Sequence, residues 1–268
     1  MPLGTIQQPF LKSGVGEGLR RLTHAPTVAD AWHTILKPDD SILLKFNQSG
    51  AAVIGTSVLL AATLVESLVS AGWAPEKITL LEVDRSAAEL RGTHPPDTRW
   101  QDRTVDFGES GKDSFLAALE EATAIINVPF LKTHHLATMT CSMKNLSHGL
   151  VQHPARFHTG GCDPAIAEIV ASEPIRSKLR LTIVNSIRTV FEGGPTVREE
   201  SIHSVGTLLL GTDPVACDAT GYNILSEVRA LRGLSPLLPA AHLPRYLRTA
   251  GVLGLGQPDA EKIEVETT

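Results

Sequence analysis

Short apolar runs rich in β-branched residues alternate along this chain with stretches whose apolar positions recur every three or four residues. That alternation predicts an α/β fold: a mostly parallel sheet flanked by helices, with a site at the carboxyl ends of the strands. Ser41 to Phe46 reads as the first buried strand. Ser57 to Ala71 places Val58, Leu59, Ala62, Val65, Leu68 and Val69 at helical spacing and stops at Gly72. Lys77 to Val83 and Ala124 to Pro129 read as two further strands, and Ser114 to Glu121 as a short helix between them. Leu179 to Ser186 and Val205 to Gly211 add two more β-rich runs. Asp213 followed by Pro214 opens a helix with a favourable cap and first turn, and Ile263 to Val265 reads as a final edge strand.

Residues 84–113, with Gly92, Pro95 and Pro96 among many charges, form a surface excursion, and Gly193-Gly194-Pro195 marks a minor boundary near 193–196. One α/β domain over residues 1–268 carrying these insertions is simpler than two domains. At 268 residues, 42% hydrophobic and 20% charged, the chain can bury a substantial core, and disorder is excluded.

The formal charge of −5 lacks the basic footprint of a nucleic-acid binder, so no nucleic-acid partner is expected. No apolar run is long enough to span a bilayer, and the first thirty residues do not read as a cleaved leader; Arg20-Arg21 has no apolar segment after it. A soluble cytoplasmic protein is the expectation. The three Cys, at 141, 162 and 217, include no C-x-x-C pair, which suits a reducing compartment and predicts neither a disulfide framework nor an intrinsic iron–sulfur cluster.

The chemistry concentrates between Lys132 and His158. Of ten His, five (His134, His135, His148, His153 and His158) lie in residues 134–158, together with Lys132, Lys144, Asn145 and Arg156. The stretch follows the strand ending near Pro129, where ligands of open parallel sheets bind. One reading is a pocket in which Lys and Arg hold an anion while His moves a proton or ligates a metal. The other is a solvated loop with incidental His.

Lys45 stands inside an apolar strand and either snorkels to solvent or points into a polar site with Asn47. Asp213 caps the following helix or pairs with one of the lysines. Cys141 and Cys162 either add sulfur to a metal site or are small buried apolar residues, the second being the commoner case. Gly50 and Gly55 form no phosphate-loop or dinucleotide fingerprint.

The chain resembles the family called domain of unknown function 362. The resemblance rests on LLKFN at 43–47, IINVPFLKTH at 125–134, MKNL at 143–146, RFH at 156–158, GGP at 193–195, GTDPVACD at 211–218 and GLG at 254–256. It implies a mixed α/β domain of unsettled activity, with Lys45, Asn47, Lys132, His134, Lys144, Asn145, His158 and Asp213 as the site. Some family members are fused to ferredoxin-like cysteine motifs or carry an export signal, which implies redox surroundings; this sequence shows neither.

Three functions follow as expectations. The first is an enzyme acting on a small carboxylate or phosphate, with His134, His158 and Lys144 catalytic and Lys45, Asn47, Lys132, Asn145, Arg156 and Asp213 binding substrate. A divalent metal would in that case sit on His134, His135 or His158. The second is a non-catalytic carrier of an anionic metabolite or metal complex. The third, a redox or cofactor-assembly component working with an external iron–sulfur partner, rests on the family resemblance alone.

Overall fold

The computed structural model describes residues 8–239 and 242–267. Seven strands form one mixed, mostly parallel sheet. They are β1 (Ile42–Lys45), β2 (Ile78–Leu81), β5 (Ala124–Asn127), β6 (Phe130–His134), β7 (Thr138–Thr140), β8 (Leu179–Val190) and β9 (Ile202–Gly211), while β3 (Val105–Asp106) and β4 (Lys112–Asp113) make a separate hairpin. β2, β1, β5 and β8 run parallel in that order. The twelve residues of β8 pair first with β5 and then, further along the same edge, with β6. β7 folds back antiparallel on β6.

Both faces of the sheet are covered, which is why its central strands read as continuous apolar runs. The side chains alternate between two cores as the two-residue strand period requires. Ile42, Leu44, Ala124, Ile126, Leu181 and Ile183 enter one core, with α1 (Gln8–Thr23), α2 (Val28–Ile35) and α4 (Ser57–Ser70). Leu43, Ile125 and Val184 enter the other, with α5 (Ala117–Glu121), α6 (Ser142–His148), α7 (Ala165–Ala171), α9 (Pro214–Leu231) and α10 (Arg245–Val252). Two one-turn helices, α3 (Ala51–Ile54) and α8 (Glu173–Arg176), complete the set.

Four local expectations change. The run near 205–210 is β9, antiparallel to β8, because the connection from Phe191 to Ser201 is too short for a parallel crossover. Ser114 to Leu116 is extended, since Phe115 bridges Val151 and Leu116 bridges Trp100, and α5 begins only at Ala117. Residues 263–265 form no strand; Ile263 packs on the core as a single apolar anchor, too little to hold a ladder. The excursion after β2 is anchored rather than loose, because Leu90, Thr93 and Gln101 are buried. No helix among the described residues is long and apolar enough to cross a membrane.

Candidate functional site

The carboxyl ends of three neighbouring parallel strands, β2, β1 and β5, meet under the first turns of α6. Lys45 is the last residue of β1 and lies two positions after Leu43, so it points to the same face of the sheet, toward α6. Its ammonium is wholly buried and meets three acceptors: the Phe46 carbonyl at 2.6 Å, Asn145 Oδ1 at 3.2 Å and Glu82 Oε2 at 3.1 Å. Three acceptors match its three donors, so Lys45 has no proton left for a ligand. Burial lowers its pKa, and Glu82 works the other way. Glu82 follows β2 with a left-handed backbone (φ 60), which turns its carboxylate back to Lys45 and the Gln48 amide.

Asn145 is the hub beside it. Its Oδ1 accepts from Lys45 and from Asn47 Nδ2 at 3.1 Å, and its Nδ2 donates to the Lys45 carbonyl at 3.2 Å and to Asn127 Oδ1 at 2.8 Å. Asn127, the last residue of β5, donates in turn to the Ser142 carbonyl and hydroxyl. Every hydrogen-bonding position of Asn145 is therefore used inside the protein, which fixes α6 to the strand ends. Gly149 follows α6 because a Cβ there would crowd the Lys45 ammonium and come within 2.7 Å of the Asn145 carbonyl.

Lys132 and Lys144 differ from Lys45. Both are buried, and neither has a carboxylate within 4.0 Å among the described residues. Lys132 donates to the Ser49 carbonyl at 2.6 Å and weakly to Asn47 Oδ1 at 3.4 Å. Lys144 meets His158 Nε2 at 3.2 Å. Burial lowers each lysine to about 8, and for Lys132 the neighbouring Lys144 charge adds to the effect. Among the described residues, one donor on Lys132 and two on Lys144 remain unfilled.

His134 lies two residues after Lys132 on the same strand face, parallel-stacked against His158 with ring centroids 5.5 Å apart. Its Nδ1 accepts the backbone N–H groups of Leu136 and Ala137, each at 3.2 Å. The proton of the neutral ring is therefore on Nε2, where it is a donor. Burial, reinforced by the Lys144 charge, lowers His134 to about 3, so the ring stays neutral near pH 7. That makes it a neutral hydrogen-bond donor rather than the proton-shuttling base the sequence suggested, and it withholds the lone pair a metal would need. A cavity of about 350 Å³ lined by Thr133, His134, His135, Gly194 and Arg229 opens beside it, a size suited to a small molecule. The cleft of about 220 Å³ between α1, α2 and α4 has instead an already paired Lys12–Glu66 at its wall.

The structure thus gathers Lys45, Asn47, Lys132, His134, Lys144, Asn145 and His158 around one network, with His135 stacked on His134 at the wall of the adjoining cavity, and it turns Arg156, Asp213 and His153 elsewhere. Arg156 donates to the carbonyls of Lys112 and Ser110 and covers the Phe157 ring, so it braces the β3–β4 hairpin. Asp213 caps α9, accepting from the Val215 and Ala216 amides, while its second oxygen accepts from Gln257 N. His153 pairs with Asp113, and His135 is exposed, its Nδ1 3.4 Å from the Gly194 carbonyl. Glu82, Asn127 and Gly149 belong to the site although the sequence reading gave none of them a role in it, and His148, counted in the histidine cluster but not singled out, meets the His158 ring edge-on with centroids 4.5 Å apart.

Fold and site together define an α/β protein with a cluster of buried lysines and histidines where parallel strands end. The chain belongs to the family described as Domain of unknown function (DUF362), whose model matches residues 47–223 and so takes in every residue of this network except Lys45. Among curated proteins there is no match.

Proposed function

We propose that this protein is an enzyme acting on a small anionic molecule, a carboxylate or phosphate, held by Lys132 and Lys144. The observation that carries the reading is the pair of buried ammonium groups with no carboxylate within 4.0 Å among the described residues, their unfilled donors lying in the same network as the Nε2–H of neutral His134. Every one of those ligand-facing groups donates. Two cations confined together repel each other, and a bound anion is the partner that relieves the repulsion. Lys45 adds charge behind them without touching the ligand, and Asn47 and Asn145 hold the geometry. A neutral His donor aimed at the bound group stabilises negative charge that develops there as it reacts. Three buried free thiols suit a reducing compartment, so we place this activity in the cytoplasm.

Calorimetry of the purified chain with phosphate, sulfate and small dicarboxylates tests the reading. At least one of these anions should bind, and Lys132→Ala and Lys144→Ala should each weaken it about tenfold or more, the worth of one charge-assisted hydrogen bond, with an unchanged circular dichroism spectrum. Anions that do not bind, or that bind both variants equally well, overturn it. Binding without turnover of any related phosphate ester or carboxylic acid would make the protein a carrier instead.

A further inference from the structure

We infer that His148, His158 and Cys162 form a site for one divalent transition ion of the zinc class. Their ligand atoms all lie within 4.8 Å of one another. Zinc bonded to two imidazole nitrogens and a thiolate holds such atoms roughly 3.3–3.7 Å apart, so side-chain shifts of about an ångström close the set. The inference stands on these ligands and does not depend on the pocket taking an anion.

The tautomers favour it. Ser147 Oγ donates to the Lys144 carbonyl at 3.3 Å and so accepts from His148 Nδ1–H at 2.9 Å. The lone pair of His148 is then on Nε2, a buried atom with no hydrogen-bond partner within 3.5 Å among the described residues. A buried imidazole nitrogen left unpaired is costly, and a metal ion is the kind of partner that satisfies it. His158 Nδ1 lies 3.3 Å from the Ala155 carbonyl, so it donates there and leaves Nε2 to accept. An imidazole donating its far N–H to a carbonyl or hydroxyl is the arrangement that orients metal-ligating histidines.

Cys162 supplies the third ligand from a constrained position. Its backbone is left-handed (φ 63), unusual for a residue with a side chain, and its thiol is wholly buried. Two nitrogens and one sulfur select a borderline-soft ion, and three protein ligands leave a fourth position for water or substrate. Lys144 Nζ occupies the His158 Nε2 lone pair at 3.2 Å, so an ion must displace that hydrogen bond to bind. Removing the Lys144 side-chain charge should therefore strengthen metal binding, the opposite of its effect on an anion.

The test uses the full chain, stripped with chelator and titrated with Zn²⁺ and with Co²⁺ as an optical probe. One equivalent should bind, and the Co²⁺ form should show a thiolate charge-transfer band with the intense visible bands of four-coordinate cobalt. Cys162→Ser should abolish the charge-transfer band. His148→Gln should weaken Zn²⁺ by more than the roughly 10–100-fold typical of losing an outer partner, and Lys144→Met should tighten it. Urea unfolding of each variant reports whether it folds. Should Cys162→Ser fail to fold, the wild-type Co²⁺ spectrum and His148→Gln decide. No bound Co²⁺, a Co²⁺ spectrum without the thiolate band, unchanged affinity in His148→Gln, or no tightening in Lys144→Met overturns the site. Lys132→Ala that loses phosphate yet keeps the Co²⁺ spectrum separates this site from the anion reading.

Discussion

Replacing Lys132 by methionine should make the protein more stable and less able to bind an anion. Lys132 is 1% exposed, and burial, with Lys144 beside it, lowers its pKa from 10.5 to about 8. That drop corresponds to about 3 kcal/mol of unfavourable free energy for keeping the charge in the folded chain at neutral pH. Methionine keeps an unbranched chain of similar length but gives up the bond to the Ser49 carbonyl and the longer one to Asn47, a loss of about 1 kcal/mol. The net expectation at pH 7 is a stabilisation of about 2 kcal/mol. The sign also fixes a pH dependence. A lysine whose folded pKa is lowered binds its proton more weakly in the folded than in the unfolded chain, so wild-type stability rises as pH passes from about 8 to 10.5. The methionine variant lacks this rise, and its advantage at pH 7 should shrink by pH 10. Urea unfolding of both proteins at the two pH values measures it. A variant less stable than wild type at pH 7, or an advantage equal at both pH values, would refute the view of Lys132 as a destabilising group kept for a ligand.

Three further outcomes follow from the same geometry. Gly194→Ala should cost about 3 kcal/mol in urea unfolding and weaken anion binding together, because the new Cβ would overlap the Thr133 carbonyl and push β6, with Lys132 and His134, out of place. Asp213→Ala should cost about 1–2 kcal/mol of stability through loss of the α9 cap, and calorimetry should show anion affinity unchanged. Tyr246→Phe removes the 2.9 Å donor to the buried Asp218 carboxylate, whose pKa burial raises to about 7. A raised folded pKa means that stability falls as pH climbs from about 4 through about 7; losing the phenol should steepen that fall, costing about 1–3 kcal/mol at pH 8 and less at pH 5 by urea unfolding.

Much of this was legible in the chain itself. The strands at 42–45, 78–81 and 124–127 stand out because strands buried on both faces are nearly all apolar, and α4 because it packs one face at helical spacing, while β8 stands out only as far as residue 186 through its apolar and β-branched residues. Lys45 could be singled out for the same reason, as a charge in a run with no solvent-facing side. β6 was hidden by Pro129, which reads as a strand end; the chain resumes because the Pro129 carbonyl still accepts from Asn185 and because β8 is long enough to carry a second partner. That length is a tertiary fact. Glu82 was hidden because Leu81-Glu82-Val83 reads as more strand, and nothing local marks its left-handed turn. The cation-rich stretch 132–158 supplies much of the candidate site, yet local sequence could not separate Lys144, aimed inward, from Arg156, aimed at a hairpin's carbonyls. α1 was overlooked although Leu11, Val15 and Leu19 fall four apart, because Gly14, Gly16 and Gly18 argue against a helix that tertiary packing nevertheless holds.

The two aspartates of the GTDPVACD segment show how the motifs divide between chemistry and support. Asp213 caps α9 and, through Gln257, ties down the chain after α10. Asp218, one helical turn further along α9, is wholly buried and accepts from the Met143 amide at the start of α6 and from Tyr246 of α10. Neither carboxylate meets a site lysine. Asp218 acts on the pocket through a backbone amide, since the helix it receives carries Lys144, Asn145 and His148. The far side of that helix is fixed by Asn145 to Lys45, Asn47 and Asn127. α6 is thereby clamped between an acid on one side and an amide network on the other. This rigid placement is what allows Lys144 to be held beside a second buried cation, an arrangement that a helix free to shift would relax by moving its ammonium to water.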